Sequence, residues 1–156
     1  MKLFILVFIF VCNHITVAAQ NKSLPEFSFS NNRNQKITPA SLPIGQPVVV
    51  FYFDPFCDHC KEQAKIVGQD AAKFGKTTFV WVGLGEMEDN ETFKKEYLKS
   101  FPQAFVCKDT DFKFDSWFGY SEVPSVFIYN KERKLTAQFN KVASAKDILD
   151  ACSKKL

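Results

Sequence analysis

Cys57 and Cys60 stand two residues apart in the run Phe53-Asp54-Pro55-Phe56-Cys57-Asp58-His59-Cys60, a spacing suited to two-electron thiol chemistry. At the start of a helix the first sulfur meets the positive end of the macrodipole and free backbone N–H groups, which favours its thiolate. A three-residue step brings the second sulfur onto the same helical face, within reach of a mixed disulfide formed on the first. The same residues admit other readings: a structural disulfide, half of a zinc site completed from His59, Cys107 or Cys152, or a copper site built from Cys57, Cys60 and His59. A c-type haem attachment needs histidine directly after Cys60, and Lys61 stands there. A Pro-x-x-x-Thr-x-x-Cys peroxidase pattern fails because Val50 and Asp54 occupy those places relative to Cys57.

The two residues between the cysteines pull in opposite directions. A donor histidine at 59 would stabilise the Cys57 thiolate, favour the reduced form and make the pair more oxidising. The charge of Asp58 disfavours that thiolate and makes the pair more reducing. Both residues also suit a solvated first helical turn, where acids are favoured.

Compartment is written in the first 19 residues. Lys2, the apolar run Leu3 to Val11 and the small residues Val17-Ala18-Ala19 predict a secretory signal over residues 1–19. Cleavage before Gln20 leaves one domain, residues 20–156, exported and periplasmic, where a disulfide enzyme works. The apolar run is shorter than the roughly 20 residues of a membrane span, and an uncleaved tether is the alternative. Cys12 follows the bulky Ile9, Phe10 and Val11, which do not suit a lipid attachment site.

Losing 19 of the 156 residues leaves 137, enough for a single domain with its own core. The formal charge falls from +3 to +2 with Lys2, and the remaining lysines are scattered, so no nucleic-acid partner is expected. His14 leaves with the signal, and His59 is then the one histidine of the mature chain. Neither a Ser-His-Asp triad nor a His-rich metal cluster can be assembled without it, and no cofactor is expected.

The elements that must position the cysteines follow from hydrophobic pattern. Phe27 and Phe29 alternate with serines as in a short edge strand, after a loose polar stretch, Gln20 to Pro25. Pro47 to Phe53 is a continuous β-branched and aromatic run that fits a strand buried on both faces. Cys60, Ala64, Val67, Ala71 and Phe74 recur at helical spacing with Lys61, Glu62, Gln63, Lys65 and Asp70 opposite, and Gly75 stops the helix. A strand over 78–84, a helix over 90–101 and a strand over 104–107 follow. Segments 125–129 and 135–140 flank a polar turn and form an antiparallel hairpin, and a helix over 144–154 closes the chain. The alternation predicts an α/β fold, a largely parallel sheet with helices on its faces. Cys107 and Cys152 fall on apolar faces and read as buried free thiols, with a bridge between them left open.

The run from Phe53 to Cys60 after a buried strand, with Val123-Pro124-Ser125 opening a later one, resembles the thioredoxin superfamily. From Phe79 to Leu156 the chain looks like the exported reductases of the TlpA and ResA type. The resemblance implies a thioredoxin fold: a central mixed β-sheet flanked by helices, with an N-terminal strand extension. It implies reduction of protein disulfides, with Cys57 attacking, Cys60 resolving and a membrane electron donor keeping the pair reduced. It further implies a cis proline at Pro124, with Val123, Pro124 and Phe56 forming the platform for an extended substrate. An oxidase or isomerase would use the same residues in reverse, although no long helical insertion between Thr78 and Ser125 marks a dedicated oxidase. Three departures stand out. Phe51 occupies the place of the buried aspartate of thioredoxins, Gln63 that of a glutamate frequent in the exported reductases, and Phe56 that of the usual tryptophan. Asp54, Asp58, Glu62 or solvent must then serve as proton acceptor.

Overall fold

The computed structural model describes residues 22–119 and 121–155; the expected signal segment, residues 1–19, lies outside them. The described strands are β1 (Phe29–Ser30), β2 (Lys36–Ile37), β3 (Val48–Phe53), β4 (Thr78–Gly83), β5 (Phe105–Lys108), β6 (Ser125–Tyr129) and β7 (Leu135–Phe139). They form one sheet in the order β2-β1-β5-β4-β3-β6-β7. β3, β4 and β5 are parallel, β6 runs antiparallel to β3, and β7 forms the hairpin with β6. The helices are α1 (Asp58–Gln69), α2 (Met87–Tyr97), α3 (Phe114–Phe118) and α4 (Ala145–Cys152).

Period-two alternation divides the central strands between two cores. Val49, Phe51 and Phe53 of β3, with Phe79 and Trp81 of β4, face the cluster covered by α1, α2 and α4. Phe51 lies flat on Trp81, ring centroids 4.0 Å apart. Val48, Val50 and Tyr52, with Val80 and Val82, face the opposite cluster. That face carries a single short helix, α3, and the N-terminal segment supplies the rest of its cover through Leu24, Phe27, Phe29, Ile37 and Leu42. α3 starts where the buried Asp109 carboxylate accepts the Lys113 and Phe114 backbone N–H groups at 2.9 and 3.0 Å.

Several boundaries and placements differ from the sequence expectation, each for a physical reason. β1 is interior to the sheet, because β2 pairs on its outer side and takes the edge. The start of the described chain is anchored: Leu24 N–H donates to the Arg133 carbonyl and Leu135 N–H to the Lys22 carbonyl, both at 2.8 Å. The first long helix ends at Gln69 and resumes as a 3-10 turn over Ala71–Phe74, with Gly75 at φ 53° stopping it. α2 begins three residues earlier than the apolar period indicates and ends at Tyr97, since Leu98 and Phe101 pack from a turn. Cys107 and Cys152 are free and buried, but they sit in the two separate clusters, on opposite sides of the sheet, and no bridge joins them.

Candidate active site

β3 delivers the cysteine motif to the carboxyl end of the parallel strands, where open α/β sheets place their chemistry. As the chain leaves β3, the Asp54 carboxylate accepts the Phe56 N–H at 2.8 Å and the Asp54 carbonyl accepts the Cys57 N–H at 3.1 Å. This double turn aims Cys57 into the N-cap position of α1, with extended φ,ψ of −73° and 124°. The Cys57 carbonyl accepts from the Cys60 and Lys61 N–H groups at 3.1 and 3.2 Å, while its side chain makes no capping bond. Opposite Pro55, the loop after β4 approaches so closely that a Cβ on Gly85 would lie 2.6 Å from the proline ring.

The two sulfurs are unequal. Cys57 is half-buried at the rim, and Cys60, one turn on, is wholly buried. Burial pushes the Cys60 thiol far above its ordinary range; contact with the Cys57 side chain and the charge of Asp54 push it further, against a hydrogen bond to the Asp54 backbone. Cys60 therefore keeps its proton at neutral pH.

Asp58 and His59 are both exposed. A hydrogen bond from the Lys61 ammonium at 3.0 Å holds the Asp58 carboxyl below the usual carboxylate range. Among the described residues the His59 side chain makes no hydrogen bond. Phe56 is 69% exposed beside the motif. With Pro55, Lys61, Asp89, Phe93 and Tyr97 it borders a cleft of about 220 Å³ between α1 and α2. A larger cleft, about 490 Å³, lies at the far end of the sheet around Lys76, Thr78 and Phe105, away from the sulfurs.

The Val123–Pro124 peptide is cis, as the resemblance implies. Ser125 pairs with Tyr52 in the β3–β6 register, so Val123 and Pro124 continue past the sheet at the level of Phe53 and Asp54, the end from which Cys57 emerges. Val123 touches both core clusters, and among the described residues its backbone N–H and carbonyl make no hydrogen bond.

Gln63 is the correction with most consequence for the site. The polar side of α1 would place it in solvent, yet it is wholly buried. Its Nε2 donates to the Ala143 carbonyl at 3.1 Å and its Oε1 accepts the Ala143 N–H at 2.7 Å. The amide thus pins the loop before α4 behind the cysteines, and it has neither charge nor spare acceptor for proton transfer. Phe51 is equally closed to that role, stacked in the core on Trp81. Of the carboxylates considered from sequence, Asp54 acts on Cys60, Asp58 is turned to Lys61, and Glu62 is exposed. Among the described residues no group of three or more His, Cys, Asp or Glu side chains gathers as a metal site.

A mixed sheet with this strand order, a Cys-x-x-Cys pair leaving the central parallel strand and a cis proline at the same end is the thioredoxin fold. No protein-family model and no curated protein sequence matches the chain. Solved structures do. MTB DsbF is 22% identical with a TM-score of 0.70, covering 85% of this chain and 97% of its own. A secreted Mycobacterium tuberculosis disulfide oxidoreductase homologous to E. coli DsbE is 19% identical with a TM-score of 0.68, over 82% and 95%. A thio-disulfide isomerase from Thermus thermophilus is 24% identical with a TM-score of 0.65, over 87% and 98%. At these identities the likeness is one of fold.

Proposed function

We propose that the protein is an exported thiol-disulfide oxidoreductase that reduces disulfides of other proteins. The observation that carries this reading is the inequality of the two sulfurs: an accessible Cys57 at a helix N-terminus and a buried Cys60 that stays protonated. Cys57 thiolate attacks one sulfur of a substrate disulfide; the S–S bond breaks, the departing substrate sulfur takes a proton, and a mixed disulfide forms. Cys60 then gives up its proton and attacks Cys57 Sγ, and the second substrate sulfur leaves with a proton. The substrate gains two electrons and two protons, and Cys57 and Cys60 end as a disulfide. A dithiol of a membrane electron donor returns the pair to the reduced state.

Asp54, whose charge reaches Cys60, is the carboxylate we assign as acceptor of the Cys60 proton in the second step. Val123 and Pro124 offer the unpaired backbone against which an extended substrate lies, and Phe56 offers an apolar rim. The reducing direction is favoured because His59, the residue that would stabilise the Cys57 thiolate, makes no hydrogen bond to it. Export rests on the predicted signal at residues 1–19, and among the described residues no helix is long and apolar enough to cross a membrane.

Equilibration of the mature protein against thiol buffers tests the reading. A potential near or below about −230 mV is expected of a reductase, and one near about −120 mV would make the protein a disulfide donor. Wild-type protein should reduce insulin and Cys57→Ser should not; absence of insulin reduction by wild type together with no reversible Cys57–Cys60 disulfide would leave a binding module.

A further inference from the structure

The residue after the motif, Lys61, has no role in the chemistry described so far, yet its ammonium spans the loop that presents Cys57. Nζ donates to the Phe56 carbonyl at 3.2 Å, one residue before Cys57, and to Asp58 Oδ1 at 3.0 Å, one residue after it. The lysine side chain is 27% exposed and the aspartate side chain 94%. The fixed partner is therefore the cation, packed in the cleft beside Pro55, Phe93 and Tyr97, and the anion is drawn to it from solvent. Cys57 is among the groups whose charge the Lys61 ammonium feels.

We propose that Lys61 is a positioning residue that sets the reactivity of Cys57, by bracing the loop on both sides of the sulfur and by offsetting the charge of Asp58 beside it. The inference rests on the reading of Cys57 and Cys60 as the redox pair. Without the ammonium, the Phe56 carbonyl loses a donor and the Asp58 carboxylate is free to swing, uncompensated, next to a developing thiolate. A thiolate so disfavoured is a slower nucleophile, and a destabilised reduced form makes the pair more reducing. Asp58 then carries little net weight in the wild-type site, because its charge is already spent on Lys61.

The test is a double-mutant cycle read by two measurements that need no substrate protein: the Cys57–Cys60 potential and the rate at which iodoacetamide alkylates Cys57 at pH 7. Lys61→Met should slow alkylation about fivefold, the order of effect of one neighbouring unit charge in a solvated site. The equilibrium constant for reduction should move by a similar factor, in the more reducing direction. Lys61→Arg keeps the charge and should stay within twofold of wild type. Asp58→Asn should speed alkylation slightly in the wild-type background and about fivefold in Lys61→Met. Additive effects of the two substitutions, or Lys61→Met within twofold of wild type on both readouts, would overturn the role of Lys61 while leaving an intact redox pair. A protein with no reversible Cys57–Cys60 disulfide would instead overturn the proposed function.

Discussion

Replacing Gln63 with glutamate exchanges one N–H donor for an oxygen at a wholly buried position and leaves size and shape unchanged. In its protonated form the introduced carboxyl can keep both bonds, accepting the Ala143 N–H and donating its O–H to the Ala143 carbonyl. Once ionised, it keeps the first and sets a carboxylate oxygen against that carbonyl, where the amide donates at 3.1 Å. Orphaning a buried acceptor costs about 1–3 kcal/mol, and at 1.36 kcal/mol per pKa unit this alone lifts the new carboxyl roughly one to two units above its ordinary value of about 4.3, with burial of the charge lifting it further. With its value raised on folding, the carboxyl binds more protons in the folded than in the unfolded chain. Its favourable contribution is complete below about pH 4 and is lost as pH rises through the folded value. Urea unfolding of reduced wild-type and Gln63→Glu protein at pH 4 and pH 8 measures this, since titrations common to both cancel in the difference. The variant should match wild type within about 0.5 kcal/mol at pH 4 and fall at least about 1–3 kcal/mol below it at pH 8. A gap that is the same at both pH values, or wider at pH 4, would refute the clamp on Ala143.

Asp54→Asn retains an oxygen to accept the Phe56 N–H but has no charge to take the Cys60 proton. Decay of the mixed disulfide with a labelled peptide, followed by rapid quench, should slow by about 10²-fold; faster decay would mean that Asp54 acts only by opposing ionisation of Cys60. Burial pushes Cys107 up to about 12 and Cys152 up to about 11, and raises Cys60 as well, so the folded protein holds thiol protons that the unfolded chain releases. Stability of the reduced protein is then full below about pH 9 and declines above it, by about 1.4 kcal/mol per thiol between pH 8 and pH 10. Cys107→Ala should flatten that decline by one thiol's share, and an unchanged slope would count against the assignment. Two glycines should respond oppositely to alanine. A Cβ at Gly68 finds nothing nearer than Ser100 Oγ at 4.0 Å and should stabilise α1 by about 1 kcal/mol. One at Gly83 would lie 2.2 Å from Asn90 Oδ1, inside the core, and should cost about 1–3 kcal/mol in thermal or urea unfolding.

Long apolar runs were the most legible features of the sequence. Residues 48–53 and 78–83 have no polar side to place, apart from Thr78, so they can only be central strands, and the cysteine motif that follows the first inherits its position at the sheet end. The hairpin over 125–139 was equally plain from its turn. Short elements escaped because their stability is tertiary. β2 is two residues long and exists by pairing with β1, and α3 depends on Asp109 capping its start from the end of β5. Gln63 escaped for a different reason. Helical periodicity assigns a side chain to a face by its polarity, but a buried amide is satisfied when a backbone N–H and carbonyl meet it, and those belong to Ala143, 80 residues away. The reach of Lys61 across Cys57 was hidden in the same way: the sequence shows a charge beside a motif, and only the cap geometry turns it inward.

The division of labour proposed for two chemically identical residues starts from helix geometry. Three residues of α-helix advance about 4.5 Å along the axis and rotate the side chain through about 300°. At the N-terminus of α1 that advance is the distance from rim to core: Cys57 holds the cap position, outside the first turn, and Cys60 already faces Ala64 and Val67 on the buried side. A cysteine moved to position 59 would emerge in solvent with its proton easily lost, and it would compete with Cys57 for attack. Held in the core, Cys60 is silent toward outside disulfides, and the sulfur it can reach is the one beside it, on Cys57. In the proposed reaction this placement orders attack before release, and Asp54 beside Cys60 and Lys61 beside Cys57 then act on sulfurs that burial has already set apart. What remains adjustable is the charge around the outer sulfur, where Asp58, His59 and Lys61 are all within one helical turn.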